Sequence, residues 1–273
     1  MRASGRRELW DGHVLLMYAD EQQRRTGVTA WVRRGLETDA KIVYVESPDE
    51  QASRSLIRVL LDEHIDVTSA VSRRQLEIVD PDVGLGPAWQ AQLVDDGLAA
   101  GYSSVRLGGA ADTSCTVMSP SDHADAERAA DELCLARPAA ILCQYATSLP
   151  ASMLQRACSM HTAGIRGTTL QIFPIHDGVA LAGEIDLSDL HTLRSALGAF
   201  CARTTEAHPK FVIDLAELNF LDVAGARVLV SDTSPIRDQG VVVQVRGAGP
   251  MIHRLLRQLG VDRIDGFVLE DPS

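Results

Sequence analysis

Residues Phe211–Val230 read FVIDLAELNFLDVAGARVLV. Phe211–Leu215 is apolar except for Asp214, and its β-branched Val212 and Ile213 in so short a run predict a buried strand. Asn219–Leu221 reads as a loop. Asp222 is an N-cap candidate, because its carboxylate can accept the free backbone N–H groups of a first helical turn. From Ala224 onward, Val228 and Leu229 follow helical spacing. A helix start offers unpaired N–H groups and the positive end of the peptide dipole, so this turn suits an anion. A strand, a turn of small residues and an Asp-capped helix also occur in many α/β proteins, so neighbouring elements must decide the fold.

Outward from this stretch, Val241–Val245 reads as a strand and Pro250–Leu259 as an amphipathic helix. Pro235 removes a backbone donor and should end or kink the helix before it. Upstream, Gln171–Ile175 and Val179–Glu184 read as strands around His176-Asp177-Gly178, a hairpin signal. Gly183-Glu184-Ile185-Asp186-Leu187 then enters a helix near Ser188 that carries Leu190, Leu193, Leu197 and Phe200. Arg166–Thr169 is the junction with the N-terminal half.

In that half, strands alternate with helices. His13–Tyr18, Lys41–Glu46, Gln75–Val79, Ser104–Leu107 and Ala139–Tyr145 read as strands, the fourth running into a Gly108-Gly109 turn. Helices are expected over Asp20–Leu36, from Pro48, over Trp89–Ala100, Asp122–Ala136 and Pro150–Thr162, with a turn-rich loop over Pro81–Pro87. Such alternation predicts a three-layer α/β fold, a mainly parallel sheet covered on both faces. The order of elements resembles a P-loop ATPase core, but the phosphate loop is missing. Lysine occurs only as Lys41 and Lys210, and neither follows a glycine-rich turn. Nucleotide hydrolysis through that motif is excluded, although nucleotide binding is not.

The chain has 273 residues, enough for two domains. A net charge of -11 argues against nucleic acid as a partner, since phosphates would be repelled. The pairs Arg6-Arg7, Arg24-Arg25, Arg33-Arg34 and Arg73-Arg74 are scattered and read as solvated helix faces. Cys115, Cys134, Cys143, Cys158 and Cys201 are odd in number and dispersed, which fits reduced thiols in a cytoplasmic protein. The N-terminus lacks a signal-peptide core, and no apolar run approaches a membrane span.

Asp214, Leu215, Phe220, Asp222, Val223, Ala224 and Gly225 resemble the signature of STAS domains, the fold of anti-sigma factor antagonists. Gly183–Leu187 resembles that family's second motif, and the order of elements fits a STAS domain over 168–273, a sheet with helices. The resemblance implies partner binding through Asn219, Phe220, Asp222, Val223 and Gly225. It also places Val223, which has no hydroxyl, where the family carries its phosphorylated serine. Residues 13–164 resemble the MEDS domain, a sensory module of bacterial and archaeal regulators. The matching residues are His13, Tyr18, Gly35-Leu36, Tyr44-Val45, Gly101-Tyr102, Arg106, Glu132, Leu142–Tyr145 and His161. Ala110 and Thr113 depart from the family pattern.

His13 and Tyr18 are candidates for a ligand pocket, or else form a hydrogen-bonded structural pair. Cys143, Gln144 and Tyr145 end a parallel strand, where such sheets bind ligands, with a capped strand end as the plain alternative. His161 joins them through the resemblance. Cys158 and His161 share a helix face, yet nothing in their spacing requires Cys115, Cys134, His123 or His13 to complete a metal site, so no metal is expected. Asp222 with the neighbouring Asn219, Phe220 and Leu221 forms the expected partner face, or only a cap and a turn. Glu184, Asp186 and Asp189 either rim that face or are simply solvated. The cofactor is unknown. The resemblances imply a non-enzymatic regulator in which the first domain, taking a small molecule, a redox-active ligand or a protein, controls a STAS domain that binds an anti-sigma factor kinase. The alternative is a STAS scaffold in a larger signalling complex, with other STAS proteins as partners, and a homodimer stays open. An enzyme with Cys143 as nucleophile and His13 or His161 as base has no sequence-adjacent support.

Overall fold

The computed structural model describes residues 10–51, 53–81, 86–110, 118–203 and 210–272. Thr113, Cys115, the first nine residues and most of the loop at 81–87 lie outside them. Contacts divide the chain into two units, Met1–Ala146 and Thr147–Ser273.

The first unit holds strands β1 (His13–Tyr18), β2 (Lys41–Val45), β3 (Leu76–Val79), β4 (Val105–Ala110) and β5 (Ala139–Ala146). All pair in parallel, in the order β1-β5-β4-β2-β3. The helices are α1 (Glu21–Glu37), α2 (Leu56–Asp62), α3 (Thr68–Ser72), α4 (Pro87–Ala99) and α5 (Pro120–Ala136). Every residue of β1 is buried, which fits a parallel strand covered on both faces. Helix α1 is capped by Asp20, whose side chain accepts from Gln23 N at 2.9 Å. One aliphatic core joins Val43, Val105, Leu107 and Ile141 of the sheet to Val94 of α4 and Ala130 of α5.

Two expectations fail here. Pro48 does not open a helix; α2 starts at Leu56, whose N–H is accepted by the Glu46 carboxylate at 2.7 Å. That cap comes from ten residues upstream, beyond any local pattern. Gly108-Gly109 is not a turn but part of β4. A side chain at Gly108 would sit 3.1 Å from the Trp31 ring, so the glycine makes room for the tryptophan. Helix α3 was not expected at all.

The second unit holds α6 (Ala151–Met160), β6 (Gly164–Arg166), β7 (Leu170–Ile175), β8 (Gly178–Ile185), α7 (Leu190–Cys201), β9 (Lys210–Leu221), α8 (Val223–Asp232), α9 (Ser234–Arg237), β10 (Val242–Arg246), α10 (Pro250–Gln258) and β11 (Phe267–Leu269). Strands β6, β7 and β8 are antiparallel neighbours joined in part by the His176-Asp177 hairpin, and β8, β9, β10 and β11 run parallel. Strands β6 and β11 were not expected. Asn219–Leu221 is strand, not loop: β9 continues to Leu221 by pairing with Glu184 and Ile185 across two register shifts. Pro235 acts as expected, since α8 stops at Asp232 and the proline sits in the first turn of α9.

Gly183 lies at one of those register shifts with φ +84, and a Cβ there would meet Thr169 O at 2.1 Å. Only glycine fits, which explains why the Gly-Glu-Ile-Asp-Leu run begins as it does. Asp189, expected at a solvated rim, is buried instead and accepts from Thr168 N, Thr169 N and Thr169 Oγ1 at 2.7, 3.1 and 2.8 Å. Asp186 is taken up in bonds to the N–H and hydroxyl of Ser188, so of the three acids only Glu184 is exposed.

Helix α6 packs on α7, burying Leu154, Ala157 and Cys158, and Arg203 donates to Ser159 O at 3.2 Å. Gly183→Ala is expected to destabilise the second unit by more than about 1 kcal/mol, read as a lowered urea midpoint. A fragment 147–273 should unfold cooperatively. A fragment 168–273, which lacks α6, should lose roughly 2 kcal/mol or more from uncovered apolar surface; equal stability would show that α6 contributes nothing to this core.

Candidate functional site

Alternation along β5 sends Cys143 and Tyr145 to one face of the sheet and Gln144 to the other. The sequence candidates of the first unit therefore divide into two buried polar clusters, not one pocket.

On the first face, His13 of β1 meets Cys143, and Tyr145 lies two residues further along the same face of β5. Helix α5 lies across them and presents His123, Glu127 and Asp131 at intervals of four, one helix face. Cys143 Sγ lies 3.5 Å from His13 Nε2 and 3.5 Å from Glu127 Oε2, and these last two atoms are 3.2 Å apart. The Tyr145 hydroxyl donates to Glu127 Oε1 at 2.8 Å and lies 3.3 Å from His123 Nε2. His13 Nδ1 faces Asp131 Oδ1 at 3.6 Å. A cavity of about 70 Å³ borders this cluster, lined by Val45, Trp89, Leu107, Leu142 and Ala126 beside Glu127 and Cys143. Burial pushes the Cys143 thiol well above its ordinary range, and the neighbouring Glu127 pushes it the same way. A thiol so held is a poor nucleophile at neutral pH, although the Cys–His distance alone would allow the pairing. At His13, burial lowers the pKa, but the hydrogen bonds and charges of Asp131 and Glu127 outweigh it and the net direction is up.

On the second face, Gln144 is fully buried. Its Nε2 donates to Tyr44 Oη at 2.9 Å, and Arg24 of α1 donates through Nη1 to Tyr44 Oη at 3.3 Å and Gln144 Oε1 at 3.4 Å. The buried Arg24 also pairs with Glu21 and donates to Arg54 O at 2.8 Å. Burial, which disfavours the phenolate, carries the Tyr44 hydroxyl up to about 12 despite Arg24. Tyr18 closes β1 on this side, within electrostatic reach of Arg24 and Tyr44. Arg106, also buried, stacks 5.6 Å from the Trp31 ring centre and donates to Trp10 O at 2.9 Å.

In the second unit, His161 caps α6 and its Nδ1 lies 2.7 Å from Ala157 O. Asp222 caps α8 by accepting from Gly225 N at 2.6 Å. Asn219, Phe220 and Val223 are exposed, whereas Leu221, expected on the same face, points into the core beside Gly225. Gly225 is buried, with room for no side chain beside Ile185 and Leu221, so it shapes the turn from beneath. Next to Phe220, Met251 and Leu255 of α10 border a groove of about 370 Å³ that also includes Arg254 and Gln258. Met251 is 79% exposed, which makes it an apolar side chain facing water with Phe220 and Val223.

Arg24, expected on a solvated helix face, is buried; His123 is weighed in the sequence only for a metal site, and Glu127, Asp131 and Met251 for none. The 123–127–131 spacing was visible, but on an amphipathic helix it looks like one more polar face. Gln144→Leu removes partners from a buried guanidinium and a buried phenol. It should destabilise the first unit by roughly 2–4 kcal/mol, measured by urea unfolding; a change near zero would show that water already serves those groups.

Residues 12–162 match the model of the MEDS family, the methanogen/methylotroph DcmR sensory domain, and residues 168–270 match a STAS model described as "Mlab, STAS domain". No curated protein matches the chain. Among solved structures, an anti-sigma factor antagonist from Mycobacterium paratuberculosis is 29% identical, covering 37% of this chain and 83% of its own, with a TM-score of 0.30. The anti-sigma factor antagonist SpoIIAA in its unphosphorylated form is 13% identical, covering 38% of this chain and 89% of its own, with a TM-score of 0.29. No helix among the described residues is long and apolar enough to cross a membrane. With more than half its length matched by the sensory domain, the chain belongs to the MEDS family and carries a STAS domain behind that module.

Proposed function

We propose that this protein is a cytoplasmic, non-enzymatic transcription regulator of the anti-sigma factor antagonist type. In this reading, residues 13–164 form the sensory domain. Residues 168–273 form a STAS domain that binds an anti-sigma factor kinase through Asn219, Phe220, Asp222 and Val223, with Met251 at the edge.

The observation that carries the reading is the first turn of α8. Val223 is its first residue, is 41% exposed, and follows an aspartate cap and an exposed phenylalanine. An apolar side chain at such a place loses nothing by being covered and gains roughly 25 cal/mol per Å² of surface removed from water. A phosphate there would add about −1.5 to −2 charge to the same face. Valine keeps the face neutral and cannot accept phosphate, so control passes through the sensory domain instead of through this residue.

The test uses the full chain and the kinase captured with it. Val223→Asp should weaken the complex roughly tenfold or more, about 1.4 kcal/mol, and Phe220→Ala should act in the same direction. Val223→Ser should become phosphorylated at that one residue, mapped by mass spectrometry after incubation with the kinase and ATP. Equal phosphorylation of wild type and variant at Ser188, Ser231 or Thr233 would show a moved acceptor and overturn the reading of Val223. Capture of STAS proteins with no kinase would instead support the scaffold.

A further inference from the structure

Three donor atoms of different elements meet in the first unit: His13 Nε2, Glu127 Oε2 and Cys143 Sγ. Their separations are 3.2, 3.5 and 3.5 Å. All three lie within 4.8 Å of one another. Bond lengths to zinc of about 2.0–2.1 Å for nitrogen, 2.0–2.2 Å for oxygen and 2.3 Å for sulfur set the edges of a tetrahedron. Those edges come to about 3.3–3.6 Å from these bond lengths. The observed triangle has that size.

One carboxylate oxygen, Glu127 Oε2, faces both the imidazole and the thiol, as it would face a common centre. We propose that His13, Glu127 and Cys143 bind one divalent first-row transition ion of borderline softness, with zinc the leading candidate.

The surroundings are those a metal centre needs. The other oxygen of Glu127 is held by the Tyr145 hydroxyl at 2.8 Å, with His123 Nε2 at 3.4 Å. His13 Nδ1 faces the Asp131 carboxylate at 3.6 Å, the side of the ring on which metal-bound histidines commonly carry a carboxylate. A thiolate and a carboxylate together carry two negative charges, which a divalent ion balances in a buried site. The thiolate excludes the hard ions magnesium and calcium, and a mixed nitrogen, oxygen and sulfur set suits zinc, cobalt or iron(II). This assignment replaces the expectation of no metal. It does not depend on the regulatory reading, since the latter concerns the STAS face.

The test is metal binding by the full chain. Protein stripped with a chelator is titrated with zinc(II), and a second sample with cobalt(II). The expected result is one equivalent per chain and, with cobalt, a thiolate-to-metal charge-transfer band. Cys143→Ser should abolish the band. Glu127→Gln and the outer-shell Asp131→Asn should each weaken binding about 10–100-fold. Cys201→Ser, a thiol in the second unit, should leave stoichiometry and band unchanged. Absence of stoichiometric zinc binding by folded wild type at micromolar ion would overturn the assignment. So would a band that survives Cys143→Ser. If Cys143→Ser fails to fold by circular dichroism, the wild-type cobalt spectrum and the Asp131→Asn titration still decide.

Discussion

A parallel strand with helices on both faces gives its polar side chains no water to turn to, so each must find a partner inside the protein. Strand β5 is placed under that constraint between β1 and β4, and three consecutive residues, Cys143, Gln144 and Tyr145, test it on alternate faces. The arrangement of the first unit follows. Helix α5 must bring Glu127 and His123 to one face, and α1 must bring Arg24 to the other. The aliphatic core around Leu107 and Ile141 fills what remains. Two polar networks are thus pinned to opposite sides of one backbone, and the strand cannot slip by one residue without exchanging them.

The second unit is governed by backbone geometry more than by side-chain polarity. Gly183 adopts a conformation that other residues resist, and Asp189 ties down Thr168 and Thr169 beside it. Together they let β8 pass two register shifts and still pair with the end of β9. That pairing carries Phe220 to the surface and starts α8 at Val223. The exposed apolar face therefore depends on a glycine and an aspartate that lie elsewhere in the sheet.

Much of this was legible in residues alone. Asp222 marked a helix start because capping is local chemistry, and the hairpin at His176-Asp177 is local for the same reason. The errors arose where distant groups decide. Glu46 caps α2 from another segment, so Pro48 misled. Trp31 requires the space at Gly108, so a Gly-Gly pair that reads as a turn is strand. Strand pairing with β8 held Asn219–Leu221 extended although the composition suggested a loop. At the site, His13 and Cys143 stood out as polar groups on strands, whereas Glu127 and Asp131 were hidden on a helix whose polar face needed no special explanation. The MEDS resemblance singled out Glu132 on the same helix, and that residue is exposed.

Helix α6 has a double allegiance. By family match it closes the sensory module, yet it packs on α7, and α7 in turn packs on α8. Three helices in series thus connect the last residues of the sensor to the turn where Val223 meets solvent. In the proposed regulation, a displacement of α6 would bear first on α7 and only through it on the helix that Val223 opens.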